Sequence, residues 1–160
     1  MSLPPFQALL DAHGAAVHRF LVASVGPSEA DDCFQEACIA ALRSYPRLTH
    51  ADNLRGWLLR IAQRKVIDAH RARARRPVPV PAAPEREAGA TFPPAESIDG
   101  QPAVWALVRA LPEKQRVAVF LRSAADLSYA EVAEVLGSSQ EAARRNVHEG
   151  LKRLREEWSA

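Results

Sequence analysis

Apolar residues recur every three or four positions through most of the chain, and no segment shows the alternation of a strand, so the pattern predicts helices only. Phe6, Leu9, Leu10, Val17, Phe20 and Leu21 mark a first amphipathic helix, which Gly26 and Pro27 should end. A second helix carries Phe34, Ala37, Cys38, Ala41, Leu42 and Tyr45 on one side and Asp31, Asp32, Gln35 and Glu36 on the other. Ser28 and Asp31 have the spacing of a capping box at its start. Acids so close to a helix N-terminus are favoured by the backbone dipole, whatever else they do. Pro46 should break this helix, and RLTHADN reads as a polar loop before a long third helix beginning near Leu54. At 100° per residue Leu54, Trp57, Leu58, Ile61, Ala62 and Ala69 form one wide apolar stripe of that helix, with Arg60, Gln63, Arg64 and Arg71 opposite.

The periodicity stops after Arg76. From Pro77 to Pro102 seven prolines stand among Ala, Glu, Gly and Ser, too little apolar surface to offset the entropy of ordering, so this stretch is expected to be an extended linker. Glu85, Glu87, Glu96 and Asp99 make it mildly acidic. Helical spacing resumes over Ala103 to Leu111, Glu113 to about Ala124, Ser128 to Leu136 and Ser139 to the C-terminus. Pro112 suits the first position of its helix, where a missing N–H costs nothing. The fold class is therefore all-α: two small helical domains, residues 1–76 and 103–160, joined by a Pro-rich linker over 77–102.

Within the second domain, LSYAEVAEVLGSSQEAARRNVHEGLKRL holds two short helical patterns hinged at Gly137, the sequence form of a helix-turn-helix. Ser128 with Glu131 makes one capping box; Ser138 with Glu141 makes another, although Ser139 is an equally good cap. Tyr129, Val132, Ala133 and Leu136 form the buried set of the first helix, and Ala143, Val147, Leu151 and Leu154 that of the second. This exposes Gln140, Arg144, Arg145 and His148, side chains with the donor geometry to read guanine and adenine edges in a major groove. Small Ala142 would let the backbone approach closely. A solvated amphipathic helix would show the same period.

Charge sharpens the picture locally. The net charge of +2 decides nothing, but seven Arg or Lys stand against one Asp between Arg60 and Arg76, the footprint expected of a phosphate-binding helix face. Cys33 and Cys38, with no further Cys to complete a metal site, read as buried thiols of a reducing compartment. Met1 to Gln7 lacks a basic start followed by an apolar run, and no apolar stretch approaches the roughly 20 residues of a membrane span, so a cytoplasmic protein without membrane insertion is expected. No phosphate-cradling glycine loop, nucleophile motif or metal-ligand set occurs, so neither catalysis nor a cofactor is expected. Asp68 and His70 fall on different helix faces, and His13 sits beside the apolar stripe of the first helix as a packing residue.

LPEKQRVAVFLRSAADLSYAEVAEVLGSSQEAARRNVHEGLKRLRE resembles the promoter-binding fourth region of bacterial extracytoplasmic-function sigma factors, with its Leu-Pro start, Leu-Ser-Tyr-x-Glu helix, Leu-Gly turn, Ser and basic recognition helix. ADDCFQEACIAAL looks like the second-region helix of that family, and LRGWLLRIAQRKVIDAHRARARR looks like its Trp-Leu-x-Arg-Ile-Ala helix with a basic end. The two matches lie in the family's order on either side of the Pro-rich stretch.

That resemblance implies a monomeric protein that binds core RNA polymerase and directs it to promoters. It would place Asp31, Asp32, Gln35 and Glu36 against the polymerase; Asn53, Arg60, Arg64 and Arg71 on the melted minus-ten strand; and Gln140, Arg144, Arg145, Asn146 and His148 on the minus-thirty-five element. It also implies an anti-sigma factor as a frequent partner of such proteins. The chain departs from the family pattern at Arg64, where Asn is usual, and at Asn146 and Glu149, where basic residues are common. Two other readings remain open: a sigma-like DNA-binding regulator that does not load polymerase, and a protein-interaction module that would need the acidic face but not the arginines.

Overall fold

The computed structural model describes residues 3–75 and 102–160, the side chains of 102–105 excepted. Regular structure among these residues is helical: α1 (Phe6–Val25), α2 (Pro27–Ser44), a 3-10 turn (Tyr45–Arg47), α3 (Leu54–Arg75), α4 (Pro102–Ala110), α5 (Glu113–Ser123), α6 (Tyr129–Leu136) and α7 (Gln140–Ser159). They form two compact units, α1 to α3 in one and α4 to α7 in the other. The expected linker, apart from Pro102, lies outside the described residues. None of the described helices is long and apolar enough to cross a membrane.

In the first unit each helix packs against the other two, around the fully buried Leu9, Phe20, Leu21, Leu59 and Val66. Gly26 at φ 88° serves both as the C-cap of α1 and the N-cap of α2, a reversal by one residue in a backbone region that costs glycine little. Pro27 occupies the first position of α2, so Ser28 lies inside the first turn and the expected Ser28–Asp31 capping box does not form. The buried line of α2 is Ala30, Cys33, Ala37 and Ala41, small side chains that bring the helix close to its neighbours. Leu42, expected on that line, is 55% exposed, and Ile39 is 51% exposed. The narrow seam of small residues buries only a thin arc, and Leu42 stands a full 100° step from Ala41.

Helix α3 corrects the sequence reading in the opposite sense. It meets α1 and α2 through large side chains, Leu58, Leu59, Ile61 and Val66, so its buried arc is wider than a single stripe and takes in Leu59, Gln63 and Val66 as a second row. Gln63, expected on the outer basic face, is only 8% exposed, and its Oε1 is among the buried oxygens without a hydrogen-bond partner.

The second unit is built around α5, whose Val117, Ala118, Val119, Phe120 and Leu121 are all buried. Pro112 stands one position earlier than expected, as the N-cap of α5. On α7 the inner line runs Ala143, Val147, Gly150, so Leu151, expected in the core, lies at the surface at 36% exposure, while Leu154 is half-buried. Gly150 lies where α7 packs tightly on α5.

Candidate nucleic-acid interface

The helix-turn-helix is fixed at each joint by a local hydrogen bond. Ser128 Oγ accepts the Glu131 N–H at 3.2 Å while Glu131 Oε2 accepts the Ser128 N–H at 2.7 Å, a complete capping box that sets where α6 begins. Gly137, at φ 64° and ψ 37°, ends α6 in the left-handed region, and the Ser138 N–H closes the turn on the Ala133 carbonyl at 3.0 Å. Of the two candidate serines, Ser139 caps α7: its Oγ accepts the Ala142 N–H at 3.1 Å, while the Ser138 hydroxyl donates to the Ser139 carbonyl.

With α7 anchored through Ala143 and Val147, Gln140, Arg144, Arg145 and His148 are exposed along its first turns and Asn146 is half-buried. Ala142, also half-buried, leaves room beside them. Glu149 is exposed and accepts a long hydrogen bond of 3.4 Å from Gln115 Nε2. In α6, Val132, Ala133 and Val135 are buried, whereas Tyr129 and Leu136 are only half-buried. The Tyr129 ring lies beneath two guanidinium groups, with Arg122 Cζ 4.9 Å and Arg144 Cζ 5.1 Å from its centroid.

In the first unit Arg60, Arg64 and Arg71 are exposed on α3. Asn53 is half-buried and acts locally, its Oδ1 accepting the Gly56 N–H at 3.0 Å at the start of α3. The fit is close enough that a Cβ on residue 56 would collide with the Asn53 side-chain amide. Arg73, one cation of the basic tail, hydrogen bonds to Glu29 of α2.

Asp31, Asp32, Gln35 and Glu36 are all exposed on α2. Asp31 Oδ1 is 2.9 Å from His18 Nε2, and the His18 imidazole meets the Phe34 ring edge-on. Asp32 and Glu36 border a groove of about 370 Å³ between α2 and α3, shared with Glu29, Asp68 and Arg73. Cys33 lies on the groove floor; burial raises its thiol pKa, and the charges of Glu29, Glu36 and Asp32 raise it further. Burial also raises that of Cys38, and both cysteines are free. Neither thiol is activated, as expected of packing residues, but only Cys33 is buried and Cys38 is half-buried.

The sequence missed the pairings of Tyr129 with Arg122 and with Arg144, of Arg73 with Glu29, and of His18 with Asp31. Each joins different helices across 7 to 44 positions of sequence, and helical periodicity reports only which face of one helix is apolar.

Two family models match this chain, sigma-70 region 2 over residues 9–76 and sigma-70 region 4 over residues 102–154. The extracytoplasmic-function (ECF) RNA polymerase sigma factor SigD of Mycobacterium tuberculosis is 38% identical, over 88% of this chain and 71% of SigD. The chain belongs to the ECF RNA polymerase sigma factors. ShbA of Streptomyces griseus, of the same family, is 36% identical over 78% of this sigma factor and 69% of ShbA. The fold is also that of the sigma factor RpoE of Bartonella quintana, solved in complex with the anti-sigma factor NepR (TM-score 0.73, 20% identity, 94% of each chain). CnrH, solved with the cytosolic domain of CnrY, matches with a TM-score of 0.67 at 19% identity, over 96% of this chain and 87% of CnrH. As a sigma factor the protein binds core RNA polymerase and promoter DNA, and it serves in transcription initiation.

Proposed function

We infer that this sigma factor divides its work between the two helical units. Region 2 docks on core polymerase through Asp31, Asp32, Gln35 and Glu36 of α2, and presents Arg60, Arg64 and Arg71 of α3, with Asn53, to the separated minus-ten strand. Region 4 reads the minus-thirty-five element with Gln140, Arg144, Arg145, Asn146 and His148. The observation that carries this reading is segregation of charge: within the first unit the acids occupy an exposed arc of α2 while exposed arginines line α3, so one small domain offers both a protein-facing and a phosphate-facing surface. Arginine along a single strand neutralises phosphate and stacks on unpaired bases. Arginine and glutamine at the start of α7 suit base edges in the major groove.

The protein catalyses no step itself; polymerase makes the RNA. Its contribution is differential binding, holding the open promoter more tightly than the closed one. It acts in the cytoplasm as a free monomer until polymerase or an anti-sigma protein takes it up, as NepR takes up RpoE of Bartonella quintana.

The test is retention of core RNA polymerase on the immobilised full chain, compared with a variant carrying Asp32→Ala and Gln35→Ala. Binding that weakens in the variant supports the assignment. Absence of binding by the wild-type chain would leave an ordinary DNA-binding regulator, and equal binding by the variant would move the docking face elsewhere.

A further inference from the structure

Tyr129 was expected in the core, yet it is only half-buried, and it lies under the guanidinium groups of both Arg122 and Arg144. Three helices or their edges meet there: Arg122 near the end of α5, Tyr129 as the first residue of α6, and Arg144 in the second turn of α7. Two members of the stack are held in place independently. Arg122 Nη1 donates to the Leu127 carbonyl at 3.1 Å, and the capping box at Ser128 fixes the backbone one residue before Tyr129. Arg144 is exposed, and its guanidinium rests on the Tyr129 ring.

We propose that Tyr129 is a positioning residue for promoter reading, an aromatic platform that holds the Arg144 guanidinium in the conformation that meets a base edge. This rests on the assignment of Arg144 to the minus-thirty-five element. An unrestrained arginine loses rotamer freedom when it binds, and a ring that restricts it beforehand removes part of that cost. Contact with a ring face engages no hydrogen-bond acceptor, so the N–H fork that pairs with guanine O6 and N7 is still available. A carboxylate partner would instead consume those donors and cancel the charge. Arg122, whose guanidinium meets the same ring, keeps the local potential positive, which favours the approach of DNA phosphate. Tyr129 is thus distinct from the base-reading residues: it need not touch DNA, and its hydroxyl is dispensable while its ring is not.

The test uses the full chain assembled with core RNA polymerase and a pool of promoter fragments randomised across the minus-thirty-five element. Sequences retained by wild type are compared with those retained by Tyr129→Phe, Tyr129→Leu and Arg144→Ala, after thermal unfolding has confirmed that each variant is folded. Arg144→Ala should lower discrimination at one or two adjacent base positions by about tenfold, the scale of a lost bidentate contact. Tyr129→Leu should relax the same positions severalfold, Tyr129→Phe should match wild type, and the Leu change should add little in an Arg144→Ala background. A purely structural role for Tyr129 would weaken all fragments alike and leave the preference at each position unchanged, which overturns the proposal. So would a Phe variant as relaxed as the Leu variant. If Arg144→Ala itself leaves the selected sequences unaltered, the base-reading assignment fails, and the platform fails with it.

Discussion

Gly150 of α7 lies so close to Val119 of α5 that a Cβ on Gly150 would sit 2.6 Å from Val119 Cγ2. The missing side chain is what lets α7 rest on α5 and present its opposite face. Gly150→Ala gains about 1 kcal/mol of helix propensity but incurs an overpacking cost of about 1–3 kcal/mol, so a net loss near 1 kcal/mol is expected in urea unfolding. Val119→Ala in the same molecule makes room for the methyl group. The double variant should therefore lose less than the sum of the single losses; strict additivity would show that the two residues do not constrain each other.

Asn53 carries two assignments that can be separated. As the residue whose side chain accepts the Gly56 N–H, its replacement by alanine should cost about 1 kcal/mol of stability. Asn53→Ser retains a capping oxygen and lacks the amide donor. Its unfolding should match wild type, while affinity for single-stranded minus-ten DNA in the polymerase complex should fall. Unchanged DNA affinity would leave Asn53 as a cap alone.

The recognition helix and the basic end of α3 should respond differently to substitution. Arg145→Ala is expected to lose about 1–3 kcal/mol of discrimination at particular base pairs, as for a lost base contact. Arg71→Ala should weaken binding to all sequences alike and flatten the dependence of affinity on salt by about one unit of slope, read from a salt titration. An Arg145 variant that behaves like the Arg71 variant would exchange the two assignments.

Acid should weaken the first unit through His13. Burial and then the charge of Arg55 lower its pKa below the ordinary 6.5, so the unfolded chain takes up a proton before the folded one does. The contribution of neutral His13 is complete above the ordinary value and is lost as pH falls through the lowered one. Thermal midpoints between pH 7.5 and 5 should thus decline with acid, and His13→Gln should flatten that decline. A slope unaffected by the substitution would place the acid sensitivity elsewhere.

Much of this molecule was legible in its sequence because helical period, caps and turn residues are local properties. The helix-turn-helix needed no tertiary information: Ser128, Glu131, Gly137 and Ser139 specify its joints through bonds spanning three to five residues. The exposure of Arg60, Arg64, Arg144 and Arg145 likewise followed from the positions of the apolar residues around them.

What the tertiary structure decided was how wide each buried arc is, and which polar groups meet across it. Helices α2 and α3 each face two neighbours, but α3 meets them through large side chains and buries Gln63, whereas α2 meets them through a seam of small residues and leaves Ile39 and Leu42 exposed. A single helix's period cannot register either result, because the width of a buried arc depends on which side chains form each seam and how closely the neighbouring helices approach. The stack of Arg122, Tyr129 and Arg144 has the same origin: each residue stands where its own helix places it, and only the packing of three helices brings the two charges over one ring.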